Sequence, residues 1–101
     1  MHLYENITIF NPSLSDEEIN TTVQRTIETI TQDGGEVLKA DHWGRRKMAY
    51  ILNKHDKGYY MFILFRAPSQ TLGKIESAYK VNESIIKYMT IKLGKKHAEG
   101  A

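Results

Sequence analysis

The residues of this chain whose types and spacing could do chemistry are cations, and four of them lie in the stretch from Gly44 to Lys54. They are Arg45, Arg46, Lys47 and Lys54. Lysine and arginine neutralise phosphates and release counterions, and an arginine can also bind a phosphate through two hydrogen bonds or stack on a base. The alternative is a solvated edge strand, in which such cations protect against aggregation.

Two further lysines and one histidine could add to a polyanion-binding site. His2 lies near the start of the first predicted strand, and Lys87 and Lys92 lie in the last one. The alternative for His2 is a disordered terminus. The candidate contacts with a polyanion such as RNA are His2, Arg45, Arg46, Lys47, Lys54, Lys87 and Lys92.

The sequence offers no constellation for catalysis or metal binding. It contains no cysteine, and its histidines, at positions 2, 42, 55 and 97, have no ligand spacing. No motif brings serine, histidine and aspartate together. We therefore predict no catalytic residue, no metal site and no small-molecule substrate.

Charge is distributed unevenly along the chain. Residues 1–36 carry a net charge of −6 and residues 37–101 a net charge of +8, which together give the +2 of the whole. Such asymmetry indicates one side that faces a polyanion and one that faces away from it. The 101 residues fit one domain, and we find no pattern of a signal peptide or a membrane span. We expect a cytoplasmic protein.

Apolar periodicity predicts four strands and two helices. A capping box, Ser15 to Glu18, begins the first helix, and Asp33-Gly34-Gly35 ends it. A turn over Asn53–Gly58 separates the second and third strands. The predicted elements are a strand over Leu3–Phe10, a helix over Asp16–Gln32, a strand over Glu36–Leu52 with a bend at Trp43-Gly44, a strand over Tyr59–Arg66, a helix opened by Pro68-Ser69, and a strand over Ile85–Leu93.

This order, βαββαβ, predicts an α+β ferredoxin-like fold, a four-stranded antiparallel sheet with two helices on one face. The first and third strands should be central. We expect the helices to bury the apolar positions that recur at helical spacing: Ile19, Val23, Ile27 and Ile30 in the first helix, and Leu72, Ile75 and Tyr79 in the second. Residues 1–94 should form the domain, and residues 95–101 a flexible C-terminal tail.

Both faces of the third strand are apolar, so the face without helices should meet a protein partner. The first strand leaves one choice open, because either parity of its residues could face the helices. The residues predicted to form the partner face are Ile7, Ile9, Tyr60, Phe62, Met89 and Ile91.

Several motifs resemble the bacterial ribosomal protein S6 family across nearly the whole chain. They are Tyr4-Glu5 with Pro12, Leu14-Ser15 with Glu17-Glu18, Trp43 to Tyr50 (WGRRKMAY), Lys57-Gly58-Tyr59, and Asn82 with Ile85 to Met89 (IIKYM). Ile51 departs from the family's usual proline and Met48 from its leucine. The resemblance implies a structural, non-enzymatic component of the small ribosomal subunit, without a cofactor, that binds small-subunit ribosomal RNA together with ribosomal protein S18.

Two other classes of protein with this arrangement of elements remain. An RNA-recognition module needs a basic-Gly-aromatic-small-Phe pattern on the third strand; Lys57-Gly58-Tyr59 begins it, but Tyr60 and Met61 break it. An acylphosphatase-like enzyme needs a glycine-rich anion loop with an arginine near the N-terminus. Asn11-Pro12-Ser13 has neither.

Overall fold

The computed structural model describes residues 1–52 and 54–93, and at 49, 50 and 52 it describes the main chain only. The predicted tail, 95–101, lies outside the described residues. No described helix is long and apolar enough to span a membrane. The elements are β1 (His2–Phe10), α1 (Asp16–Gln32), β2 (Glu36–Leu52), β3 (His55–Ala67), α2 (Ser69–Lys80) and β4 (Ile85–Leu93).

The four strands form one antiparallel sheet in the order β2-β3-β1-β4. The predicted ferredoxin-like fold and the central position of the first and third strands are therefore confirmed. The bend expected at Trp43-Gly44 is also present, as a register shift between His42 and Gly44 with Gly44 at a φ of 85°. A glycine adopts this left-handed conformation without steric cost.

The predicted turn over Asn53–Gly58 is too long, because β3 already begins at His55 and only Lys54 is a described turn residue. Gly58 lies inside the strand, and a Cβ there would stand 2.4 Å from Cγ2 of Ile9. The glycine permits a close approach of a neighbouring side chain, which a sequence pattern cannot distinguish from turn chemistry. Lys54, at a φ of 67°, lies at the end of this longer hairpin.

The first strand turns its even-numbered residues toward the helices. Tyr4, Asn6, Thr8 and Phe10 are each at most 2% exposed. The two polar residues are satisfied by one another and by β4: the Thr8 hydroxyl donates to Asn6 Oδ1 at 2.7 Å, and Asn6 Nδ2 donates to Thr90 Oγ1 at 2.9 Å. Since a buried polar group without a partner is costly, this pairing explains how a polar strand can occupy the centre of the core.

The helices bury threonines where the apolar pattern predicted other residues. Thr26 and Thr71 are buried, whereas Ile27 and Leu72 pack half-buried at the margin of the core. Thr26 Oγ1 lies 2.9 Å from the hydroxyl of Tyr79, so it bonds the two helices together. A buried hydroxyl needs a hydrogen-bond partner, and the sequence alone does not identify that partner. The apolar pattern therefore missed both threonines.

Core burial predicts unequal costs for two isoleucine truncations. Ile75 is 3% exposed in the described core, and we expect Ile75→Ala to lower the free energy of unfolding by about 2–5 kcal/mol. Ile27→Ala is the matched control and should cost clearly less, because Ile27 already touches solvent. Urea unfolding at constant m-value measures both, and equal losses would contradict this assignment of the helix faces.

Asp33, which follows α1, joins the two helices and gives a second prediction. It accepts from Lys74 Nζ at 2.8 Å and from Thr71 Oγ1 at 2.7 Å. These hydrogen bonds, the one from Lys74 first, hold the pKa of Asp33 below its usual 3.8. A carboxyl whose pKa is lower in the folded state stabilises the fold above the unfolded pKa, and this contribution is lost as pH falls through the folded pKa.

Asp33→Asn should therefore destabilise the protein at neutral pH and flatten the fall in stability below about pH 4. Urea unfolding of both proteins from pH 2 to pH 7 measures this. Parallel stability curves over the whole range would show that the Asp33 carboxylate contributes nothing specific.

Candidate functional site

The β2–β3 hairpin extends beyond the rest of the sheet and carries the main group of cations. β1 ends at Phe10, opposite Tyr59, whereas β2 and β3 continue to pair through Arg46 with Gly58 and Lys47 with Lys57. Among residues 1–52 and 54–93, the cationic stretch therefore forms a projecting two-stranded ribbon whose neighbours lie at its base.

Strand alternation separates the two adjacent arginines. Arg45 lies opposite Tyr59, whose side chain faces the helices, and Arg46 lies opposite Gly58 on the face without helices, which we call the open face. Successive strand residues point to opposite faces, so the two guanidinium groups cannot contact one flat ligand together.

Arg45 makes its contacts within the chain. Its Nε donates to the Pro12 carbonyl at 2.9 Å, its Nη2 to the Leu14 carbonyl at 2.7 Å, and its Nη1 to Asp16 Oδ1 at 3.1 Å. Its Cζ also lies 5.3 Å from the centre of the Tyr59 ring. The structure thus brings Arg45 to the β1–α1 loop and away from Arg46.

Arg46 belongs to a stack on the open face. The ring of Trp43 stacks on that of Phe62 at 5.5 Å with 3° between the planes, and Cζ of Arg46 lies 5.4 Å from the Trp43 ring centre. Arg46 Nε donates to the Trp43 carbonyl at 3.3 Å. The aromatic contact orients the guanidinium and leaves its two terminal nitrogens at the surface.

Lys57 is a further cation of the hairpin, on the face opposite to that of Arg46, although the sequence pattern placed it in a turn. It lies directly opposite Lys47, and both side chains are exposed. Two like charges opposite each other on a strand pair destabilise it unless a counterion lies near them. The sequence alone does not predict this cross-strand lysine pair, because the pairing depends on the register of the hairpin.

The other predicted cations divide between the two ends of the sheet. Lys87 lies opposite Ile9 on the open face, at the hairpin end, and is exposed. Lys92, opposite Tyr4, lies at the far end, about 20 Å away along the strands. His2 is also at the far end, half-buried with its ring 6.2 Å from that of Tyr4. These two residues are not brought together with the hairpin cations.

The open face carries all six residues predicted to meet a protein. Phe62, Ile7 and Met89 form one cross-strand row, Tyr60 lies opposite Ile9, and Ile91 is one step along β4. Met89 and Ile91 are 47% and 49% exposed, although they are large apolar side chains. An apolar patch that runs across three strands is typical of a binding surface.

No group of three or more potential metal ligands occurs among the described residues.

The family of this chain is shown by its similarity to known proteins. A family model described as Ribosomal protein S6 matches residues 3–92. The chain belongs to the ribosomal protein S6 family.

Relatives of this family match over nearly the full length. Small ribosomal subunit protein bS6 of Clostridium acetobutylicum is 39% identical over 95 residues, which cover 94% of this chain and all of that protein. The bS6 protein of Phocaeicola vulgatus is 34% identical over 100% of this chain and 89% of its own length. The resemblance in the motifs is therefore confirmed.

A solved structure agrees with the fold. The crystal structure of ribosomal protein S6 from Thermotoga maritima superposes with a TM-score of 0.88 and 30% identity, covering 98% of this chain and 94% of that one. Membership of the S6 family favours a ribosomal structural protein over the RNA-recognition module and the acylphosphatase-like enzyme.

The exposed apolar patch predicts that the isolated protein self-associates as its concentration rises. Replacing Met89 and Ile91 with serine should reduce this association, because it removes apolar area from the open face. Val81→Ser is the control, since Val81 is 81% exposed but follows α2. Sedimentation velocity over a concentration series measures it; a parent protein that stays monomeric throughout would contradict the prediction.

Proposed function

We propose that this protein is a structural, non-enzymatic component of the small ribosomal subunit in the cytoplasm. It binds small-subunit ribosomal RNA through the projecting hairpin, and ribosomal protein S18 covers part of the open face. No cofactor takes part. Membership of the S6 family supports the ribosomal role, and the arrangement of charge and apolar surface supports the two contacts.

The observation that carries the RNA contact is the group of cations at the hairpin end. Arg46, Lys47, Lys54, Lys57 and Lys87 lie at this end of the sheet, and no ion pair involves them among the described residues. Cations that are not neutralised within the fold can neutralise phosphates and release counterions. His2 and Lys92 lie on the remote end and would need a second segment of RNA.

The support for a protein contact is the apolar row across the open face. Phe62, Ile7 and Met89 form its centre, and the stack of Trp43 with Arg46 lies at its margin. Aromatic residues, methionine and arginine are enriched in protein interfaces, whose centres are depleted of charge. Burial of Met89 and Ile91 in a complex would remove apolar area from water, since these side chains are 47% and 49% exposed on this face.

Reconstitution with small-subunit RNA, with and without S18, tests both contacts. Arg46→Ala with Lys47→Ala should weaken RNA binding and lower the slope of log K against log salt by about 1 for each lost phosphate contact. Lys80→Ala is the control, because it removes a positive charge at the end of α2 and not in the hairpin. Met89→Ser with Ile91→Ser should weaken binding only when S18 is present.

Two results would contradict the proposal. An unchanged salt slope in the hairpin variant would assign the hairpin cations to bare surface. Full S18-dependent assembly by the open-face variant would mean that S18 binds elsewhere. Val81→Ser serves again as the control for loss of an exposed apolar side chain.

A further inference from the structure

We propose that Arg45 is a positioning residue: it fixes the base of the hairpin against the β1–α1 loop and thereby sets the direction in which the neighbouring cations meet RNA. This inference rests on the proposed RNA binding. It separates Arg45 from Arg46, although the two are adjacent and identical in type.

The first reason is that the hydrogen bonds of Arg45 converge on one loop. Its nitrogens reach the carbonyls of Pro12 and Leu14 and the carboxylate of Asp16, all between 2.7 and 3.1 Å. These acceptors span the loop and the first residue of α1. A planar guanidinium presents its donors in a fixed fork, whereas a lysine ammonium is a compact charge on a flexible stem.

The second reason is that the face of the guanidinium is also occupied. Cζ of Arg45 lies 5.3 Å from the centre of the Tyr59 ring, and the Tyr59 hydroxyl is 2.7 Å from Nδ1 of His42. Arg45 therefore connects β2, β3, the loop and α1. Three of its five N–H donors already have acceptors within the fold, and Asp16 offsets its charge, so a phosphate would gain less from Arg45 than from a cation without such partners.

The third reason is the position of this cluster at the base of a projecting ribbon. On the open face, a buried Met48 and Ile9 close over Gly58. On the other face, Arg45 is the side chain that connects the hairpin to the loop before α1. An isolated two-stranded ribbon is marginally stable, so contacts at both sides of its base determine its orientation.

RNA-binding measurements at several salt concentrations distinguish positioning from phosphate contact. Arg45→Ala should weaken binding about two- to tenfold at every salt concentration and leave the slope unchanged, because it removes preorganisation and no phosphate contact. Arg45→Lys keeps the charge but not the fork, and it should fail to restore affinity. Arg46→Ala is the matched control and should lower the slope by about 1.

A second pair of variants leaves Arg45 in place. Asp16→Ala removes one acceptor of Arg45. Glu17→Ala is the control: it removes a similar charge from the first turn of α1, but no described contact joins Glu17 to Arg45. Positioning predicts weaker RNA binding for Asp16→Ala than for Glu17→Ala. If Arg45 were a phosphate ligand held back by Asp16, the Asp16 variant would bind more tightly than the Glu17 variant.

Hydrogen exchange of the Leu14 amide, which donates to the Asn11 carbonyl at 3.2 Å, tests the contact without RNA. Exchange should become faster in Arg45→Ala while urea unfolding remains cooperative. The inference is overturned if this exchange is unchanged, if Arg45→Ala lowers the salt slope or keeps full affinity, or if Arg45→Lys restores binding. A parent protein without salt-dependent RNA binding would overturn the proposed function, whereas the exchange result would still decide the contact.

Discussion

Two helices can cover only one face of a four-stranded sheet, and the central strand β3 is apolar on both faces. Met61, Ile63 and Phe65 are each 1% exposed beneath the helices, whereas Tyr60 and Phe62 on the other side remain half-buried. Within the described part of the chain, the open face is therefore shielded only by its own side chains. Because transfer of apolar area out of water is favourable, this face gains stability when another molecule covers it. The burial beneath the helices and the exposed apolar surface therefore arise from the same strand.

Much of the fold could be predicted from the sequence because its periodicities are regular. The predicted bounds of α1, β2 and β4 agree with those observed, and a ferredoxin-like arrangement follows from the order of elements. The parity of β1 could not be predicted, since isoleucines alternate there with Asn6 and Thr8. Asn6 is compatible with burial because Thr90 accepts its hydrogen bond, and that partner is 84 residues away in the chain.

The candidate site could be predicted by residue type but not by arrangement. The selected residues are lysines, arginines and one histidine, yet register alone decides that Lys87 lies at the hairpin end and Lys92 at the other. Lys57 was not predicted as a site residue, because the glycine that follows it is typical of a turn. Arg45 illustrates a different difficulty, because two of its acceptors are main-chain carbonyls. Every residue has a carbonyl, so the sequence does not indicate which ones will accept a hydrogen bond.

A hairpin rich in cations faces two opposing requirements, because charges that bind a polyanion must remain unneutralised and yet hold a defined direction. Strand alternation meets both of them here. It turns Arg45 toward an acidic helix start and two carbonyls, where its charge is compensated, and turns Arg46 toward the open face, where Trp43 supports it. If both faces of the strand carried uncompensated positive charges, these charges would repel one another, and no side chain would connect the hairpin to the β1–α1 loop. The two arginines therefore have different physical roles that follow from their parity in the strand.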